Sequence, residues 1–105
     1  MLPVIFGLSG PVLTSDECAL FKQVNPAGFI LFARNIEHPG QLRALTDALR
    51  ALSGRAALPI LIDQEGGRIA RLAPPHWRSW PAAAVLTGSA ATGSAGDVAR
   101  AVERV

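Results

Sequence analysis

The chain has 105 residues, of which half are hydrophobic and 17% are charged. This balance is typical of a globular domain with a substantial core and argues against general disorder. The formal net charge is only +2 and the ten basic residues are scattered, so nothing favours a nucleic-acid partner. No apolar run approaches the roughly 18 residues that cross a bilayer, and we expect no membrane segment.

Two features bear on the cellular compartment. A single cysteine, Cys18, excludes an internal disulfide framework and fits a reducing environment, and its thiol is expected to be buried as plain packing. Residues 1–15 are uncharged, but proline and glycine interrupt them and no basic leader precedes them, so they predict a strand and a turn instead of a signal peptide. We therefore expect a cytoplasmic protein.

Three short apolar runs predict strands, at residues 4–8, 28–32 and 59–62. None alternates with polar residues, which is typical of strands in a parallel sheet that are buried on both faces beneath helices.

A first helix is predicted between the first two runs. Thr14 and Glu17 have the S/T-x-x-E spacing of a capping box, which marks a helix start. Three apolar side chains then share one face, namely Leu20, Phe21 and Val24. The helix is expected to end at the following Asn-Pro pair.

A second helix is predicted to start near Pro39, because proline is tolerated at the first helical position. Gly54 is placed to end it. Its apolar stripe consists of Leu42, Leu45, Leu49 and Leu52. The order strand, helix, strand, helix, strand predicts parallel neighbours joined by right-handed crossovers.

The character of the sequence changes after residue 63, where Gly66-Gly67 and Pro74-Pro75 predict a long irregular loop followed by short helical turns. Residues 94–105 regain helical spacing, with Ser94 as the predicted N-cap. The pattern favours the fold class α/β, with about three parallel strands. Because a closed barrel takes eight strands and roughly 250 residues, these strands cannot close one, and we expect residues 1–105 to be a piece of a longer chain that is only marginally folded by itself.

The stretch from Asp63 to Arg71 combines two carboxylates, a glycine pair and two arginines directly after a strand. The carboxyl ends of strands form the ligand-binding rim of such folds. Asp63 and Glu65 could be the two carboxylates of a glycosidase, but groups so close in sequence would approach the bond from one side instead of flanking it. A second interpretation is that Asp63 and Arg71 clamp a pyranose by charged hydrogen bonds. An ion pair that pins the loop fits the spacing equally well.

A family resemblance separates these alternatives. Asp-Gln-Glu-Gly-Gly-Arg-Ile, starting at Asp63, resembles the D-Q-E-G-G-R-V motif of bacterial glycoside hydrolase family 3 β-N-acetylhexosaminidases. Residues 28–35 are similar to the G-x-I-L-F-x-R-N segment of that family, and residues 41–50 to its Q-L-x-x-L helix. Residues 72–84 resemble its loop that ends in L-P-A-A, with Trp80 in the place of leucine.

The resemblance implies an enzyme that releases terminal β-linked N-acetylglucosamine from peptidoglycan fragments, by a retaining mechanism without a metal or organic cofactor. It implies that Asp63 and Arg71 bind the sugar, whereas Glu65, Arg68 and Arg34 support the motif loop. The fold that it implies is the N-terminal portion of a (β/α)8 TIM-type barrel, in which residues 1–105 are the N-terminal part of a single, truncated catalytic domain. The acid/base histidine and the nucleophilic aspartate of the family match no position here, so we assign no catalytic residue and expect the chain alone to be inactive. Two alternatives are a β-glucosidase of the same family and a non-catalytic or vestigial sugar-binding module.

Four other residues invite functional interpretations. His38 and His76 match no histidine motif of the family, have no ligand cluster around them that would bind a metal, and are interpreted as bystanders. Trp77 and Trp80 could stack on a sugar, but in a loop bounded by prolines they are interpreted as anchors for an irregular segment.

Overall fold

The computed structural model describes residues 1–82 of the chain. Residues 1–63 form one compact unit, and a second unit starts at Gln64. The first unit contains strands β1 (Leu2–Phe6), β2 (Pro26–Leu31) and β3 (Ile60–Ile62) and helices α1 (Ser15–Val24) and α2 (Pro39–Ser53). The second unit contains strands β4 (Gln64–Gly66) and β5 (Ile69–Ala70). The three predicted strands and the two predicted helices of the first unit are confirmed.

The first unit is built on a parallel sheet with the strand order β1-β2-β3. Its register pairs Phe6 with Phe29 and Phe29 with Ile60, so these three side chains share one face of the sheet. Each connection between neighbouring strands runs through a helix, as the alternation of patterns predicts.

Helix α1 begins with the predicted capping box. The backbone N–H of Glu17 donates to Thr14 Oγ1 at 3.1 Å, and the N–H of Thr14 donates to Glu17 Oε1 at 3.0 Å. The N–H of Ser9 also donates to Glu17, at 2.9 Å, which ties the preceding loop to the helix start. The helix ends at Asn25, whose φ of 49° lies in the left-handed region that asparagine tolerates.

Helix α2 begins at Pro39 and ends at Gly54, whose φ of 70° suits glycine. The N-cap is His38, since its Nδ1 accepts a hydrogen bond from the backbone N–H of Gln41 at 3.1 Å. His38 therefore has a structural role in the helix start, because its ring accepts from one of the N–H groups that have no partner within the helix.

Both helices pack on the same face of the sheet. Phe21 of α1 lies edge-on against Phe29, with 4.9 Å between ring centroids. The core also takes Leu45 and Leu49 from α2, while Leu42 and Leu52 pack at its margin. Leu20 was expected to share the buried face of α1, but half of its surface is exposed. It precedes the buried Phe21 by one residue, and the turn of the helix between successive residues directs its side chain past the margin of the core.

The opposite face of the sheet is apolar and open in the described part of the chain. Ile5 and Leu61 lie on that face and are 47% and 43% exposed. The expectation of strands covered on both faces is therefore wrong for these residues. Helices on one face only are the arrangement of a barrel wall, whose other face lines the interior. Three parallel strands of this kind are part of a barrel and do not close one.

Two further expectations need correction. Cys18 is only partly buried, because it lines a groove between α1 and α2 instead of the core. The irregular loop expected after residue 63 contains an antiparallel hairpin of β4 and β5, because two consecutive glycines allow a tight turn. The helix predicted for residues 94–105 lies outside the described residues. In residues 1–82, no helix is long and apolar enough to cross a membrane.

Candidate functional site

The carboxyl ends of the three parallel strands meet at one edge of the first unit. Asp63 directly follows Ile62, the last residue of β3, which lies in register with Leu31 at the end of β2. The loops that follow β1 and β2 start at this same edge because all three strands run in one direction. Asp63 is partly buried there, at the rim position where the sequence analysis placed it.

A buried asparagine joins the loops that follow β1 and β2. Asn35 is 0% exposed, and its Oδ1 accepts a hydrogen bond from the N–H of Phe32 at 2.9 Å. Its Nδ2 donates to the carbonyl oxygens of Leu8 at 3.2 Å and Gly10 at 2.8 Å. The amide thus satisfies backbone groups of both loops and holds them together beside the end of β3.

Two neighbouring side chains strengthen this connection. Nε of Arg34 donates to the carbonyl oxygen of Leu8 at 2.8 Å, and its guanidinium lies 4.9 Å from the ring centroid of Phe32. Nε2 of Gln41, in the first turn of α2, donates to the carbonyl oxygens of Pro11 and Asn35, both at 2.8 Å. Arg34 thus holds the loop that follows β1, whereas its predicted support of the motif loop stays a prediction.

The second unit starts with the hairpin that carries the glycine pair of the motif. Gly66 and Gly67 have φ angles of +84° and +59°, which side chains other than glycine rarely adopt. The pairing of Gly66 with Ile69 closes the hairpin over two residues.

The main chain of residues 80 and 81 packs directly on this turn. The N–H of Gly67 donates to the carbonyl oxygen of Trp80 at 2.7 Å. A Cβ atom at Gly66 would overlap the carbonyl oxygen of Pro81, so only glycine fits there. Trp80 is partly buried, and the guanidinium of Arg78 lies 5.1 Å from its ring. Within this unit, it is the backbone of Trp80 that acts as an anchor.

Gln64 fastens the open end of the same hairpin. Its Oε1 accepts hydrogen bonds from the backbone N–H groups of Arg71 at 3.1 Å and Leu72 at 2.9 Å. Its Nε2 donates to the carbonyl oxygen of Leu72 at 2.9 Å. Arg71, the second arginine of the motif, is partly buried and has its backbone fixed by this amide.

Each unit has a concavity, and the two differ in chemistry. The groove between α1 and α2, about 760 Å³, is lined mainly by aliphatic side chains and offers few polar groups to a sugar. The concavity of the second unit, about 990 Å³, presents polar side chains and glycine backbone. It is lined by Gln64, Glu65, Gly66, Gly67, Arg68, Ile69 and Ala82. The middle of the motif, residues 64–69, therefore lines the second concavity, whereas the predicted sugar-binding residues Asp63 and Arg71 are not among its lining residues.

Other candidates for chemistry are few in the part of the chain that the structure describes. No group of three or more histidine, cysteine or carboxylate side chains there could hold a metal ion. The ring of His76 packs against Trp77 with 5.9 Å between centroids. A wall of parallel strands with helices on one face, and a carboxylate where a strand ends, define part of a (β/α)8 barrel with a rim suited to polar ligands.

Comparison with known proteins narrows this class. The chain is 51% identical over 69 residues to a beta-hexosaminidase of Alkalilimnicola ehrlichii, a match that covers 66% of this chain and 20% of that protein. The crystal structure of NagZ from Neisseria gonorrhoeae in complex with N-trifluoroacetyl-D-glucosamine matches with a TM-score of 0.77 at 32% identity, over 91% of this chain and 28% of that one. A glycoside hydrolase family 3 beta-N-acetylglucosaminidase from Paenibacillus matches with a TM-score of 0.70 at 29% identity, over 78% and 16% of the two chains. No protein-family model matches the chain.

These likenesses agree with the motifs of the sequence. The chain belongs to the glycoside hydrolase family 3 β-N-acetylhexosaminidases, as a part of their barrel domain. It spans about a fifth of the length of the curated relatives it matches.

Proposed function

We propose that the protein that carries residues 1–105 hydrolyses terminal β-linked N-acetylglucosamine, and that its substrates are peptidoglycan fragments in the cytoplasm. The observation that carries the proposal is the position of the Asp-Gln-Glu-Gly-Gly-Arg motif, which starts where β3 ends at the rim of the barrel wall. The relatives named beta-hexosaminidase support this reaction. The Neisseria protein, crystallised with an N-acylated glucosamine, supports the substrate class.

Within this function, Asp63 and Arg71 bind the sugar. An ionised aspartate can accept hydrogen bonds from two adjacent hydroxyl groups, and an arginine donates in a planar fork. Charged hydrogen bonds of this kind contribute about 1.5–3 kcal/mol each. Both residues are partly buried, so each can keep a polar face toward a ligand. Glu65 and Arg68, which line the concavity beside the glycine turn, support the loop.

The bond-breaking groups are not assigned to this chain. The family resemblance implies a histidine as the general acid/base and an aspartate as the nucleophile of a retaining reaction. His38 is engaged as a helix cap and His76 packs on Trp77, so neither is proposed for this role. Residues 1–105 alone are therefore proposed to be inactive, and to form one wall of the sugar site.

The test is a hydrolysis assay on the natural full-length protein with 4-nitrophenyl N-acetyl-β-D-glucosaminide. Asp63→Ala and Arg71→Ala should each lower kcat/KM by about tenfold or more, the equivalent of one charged hydrogen bond. Matched controls are Asp47→Ala and Arg43→Ala, which remove the same charges from exposed positions of α2 and should leave the rate unchanged.

Three outcomes would contradict the proposal. Full activity of the Asp63→Ala and Arg71→Ala variants would remove both residues from the sugar site. Faster hydrolysis of 4-nitrophenyl β-D-glucoside than of the N-acetylglucosaminide would assign the protein to the β-glucosidases. Saturable N-acetylglucosamine binding by residues 1–105 alone, measured by calorimetry, would indicate a self-sufficient binding module.

A further inference from the structure

The side-chain amide of Gln64 makes three hydrogen bonds, and all three go to the backbone of Arg71 and Leu72. The distances are 3.1 Å and 2.9 Å to the two N–H groups and 2.9 Å to the carbonyl oxygen of Leu72. One polar side chain therefore binds both the donor and the acceptor of Leu72, as the backbone of a neighbouring strand would.

The side-chain amide of Gln64 lies where the pairing of β4 with β5 ends, and it extends that pairing. The ladder between β4 and β5 pairs Gln64 with Ala70, with a register shift between Gln64 and Gly66, and the next residue along the chain is Arg71. Strand β5 ends at Ala70, and the N–H groups of the next two residues, Arg71 and Leu72, donate to the side chain of Gln64. The side chain of Gln64 continues the pairing for two residues and fixes where the Arg71 side chain starts.

Only an amide supplies this combination. A glutamate at position 64 keeps the acceptor but places a second oxygen against the carbonyl oxygen of Leu72. A methionine keeps the length and removes both partners. Since Gln64 is exposed, its hydrogen bonds compete with water and contribute little to the folding of the hairpin. Their effect is on the position of Arg71 more than on stability.

We propose that Gln64 is a positioning residue for sugar binding, which acts by holding the main chain of Arg71 through its side-chain amide. This inference rests on the proposed function of Arg71 in binding N-acetylglucosamine. It adds a residue of the motif whose side chain determines where the arginine side chain starts, and misplacement of a binding group by about 1 Å can reduce a rate by up to about a hundredfold.

The first test is a double-mutant cycle on the natural full-length protein, with 4-nitrophenyl N-acetyl-β-D-glucosaminide as substrate. Gln64→Met should lower kcat/KM by about tenfold, mainly through a higher KM, because a binding group is displaced. In the Arg71→Ala background, the same substitution should change kcat/KM by less than about twofold, because the group on which it acts is gone. Gln64→Glu, which keeps the acceptor, should lie between Gln64→Met and the unmodified protein.

Additive effects in the cycle would overturn the inference, since a purely structural loss persists without Arg71. A loss through kcat alone would also overturn it. Gln23→Met, at an exposed position of α1, is the matched control and should leave kcat/KM unchanged.

A second measurement does not depend on activity. Hydrogen–deuterium exchange at the amides of Arg71 and Leu72 should accelerate at least about tenfold in Gln64→Met and not in Gln23→Met. Unchanged exchange would refute the role of the amide even in an active enzyme. If the unmodified protein fails to cleave the N-acetylglucosaminide, the proposed function fails, and the exchange data still decide whether Gln64 holds this segment.

Discussion

Replacing Asn35 by leucine tests whether one amide holds the loops that follow β1 and β2. Leucine has the same number of side-chain heavy atoms in a similar branched arrangement but makes no hydrogen bonds, so the change removes the polar contacts. Asn35 is 0% exposed and binds the N–H of Phe32 and the carbonyl oxygens of Leu8 and Gly10.

The expected cost follows from these three contacts. Each hydrogen bond contributes about 1 kcal/mol net to stability, and a buried group that loses its partner costs about 1–3 kcal/mol. The carbonyl oxygen of Leu8 keeps the hydrogen bond from Arg34, so that group is compensated. The groups on Phe32 and Gly10 lose this partner outright. The free energy of unfolding should therefore fall by about 2–4 kcal/mol.

Urea unfolding of the natural full-length protein, followed by circular dichroism, measures this change. The matched control is Gln23→Leu on the exposed surface of α1, which should shift stability by no more than about 0.5 kcal/mol. An Asn35→Leu variant as stable as the Gln23→Leu variant would refute the reasoning, because the amide would then contribute nothing to the connection between the loops.

Three further predictions use the same unfolding measurement. Gly66→Ala should cost about 2 kcal/mol or more, through its positive φ and overlap with Pro81, whereas Gly10→Ala, with open space around it, should cost much less. Burial raises the pKa of Glu17, but hydrogen bonds from backbone and side chain outweigh it and hold the pKa below 4.5. The unmodified protein should therefore have a higher free energy of unfolding than the Glu17→Gln variant above pH 4.5, and this difference should vanish as the pH falls further. A difference that stays constant with pH would contradict this. His38→Ala should cost about 1 kcal/mol through the lost helix cap, and His38→Ser should restore most of it.

The fold of the first unit could be predicted because its signals are local. The capping box at Thr14, the proline at Pro39 and the glycine at Gly54 each act within one helical turn, and each lies where it was expected. The face on which the helices lie could not be predicted, because an apolar run such as that of β2 looks the same with one covered face or two. The hairpin after residue 63 was missed because its strands are only two and three residues long.

The sequence predicted which motif lies at the site and where along the sheet it starts, but not the hydrogen bonds that hold the surrounding loops. Strand polarity places Asp63 at the rim, and this follows from the chain order alone. The contributions of Asn35 and Gln64 could not be predicted, since their partners are backbone atoms that only folding brings near. A polar residue inside an apolar or glycine-rich stretch was the available signal for both. The sugar-binding roles of Asp63 and Arg71 remain predictions.

The main chain of residues 80–81 makes the hydrogen bond to the glycine turn and lies nearest to the position of a Cβ atom at Gly66. This contact therefore depends on the course of the main chain and not on which side chain stands at position 80. Such a contact lets that side chain be exchanged in evolution without moving the loop. We therefore expect Trp80→Leu to leave the hydrogen bond between residues 67 and 80 in place.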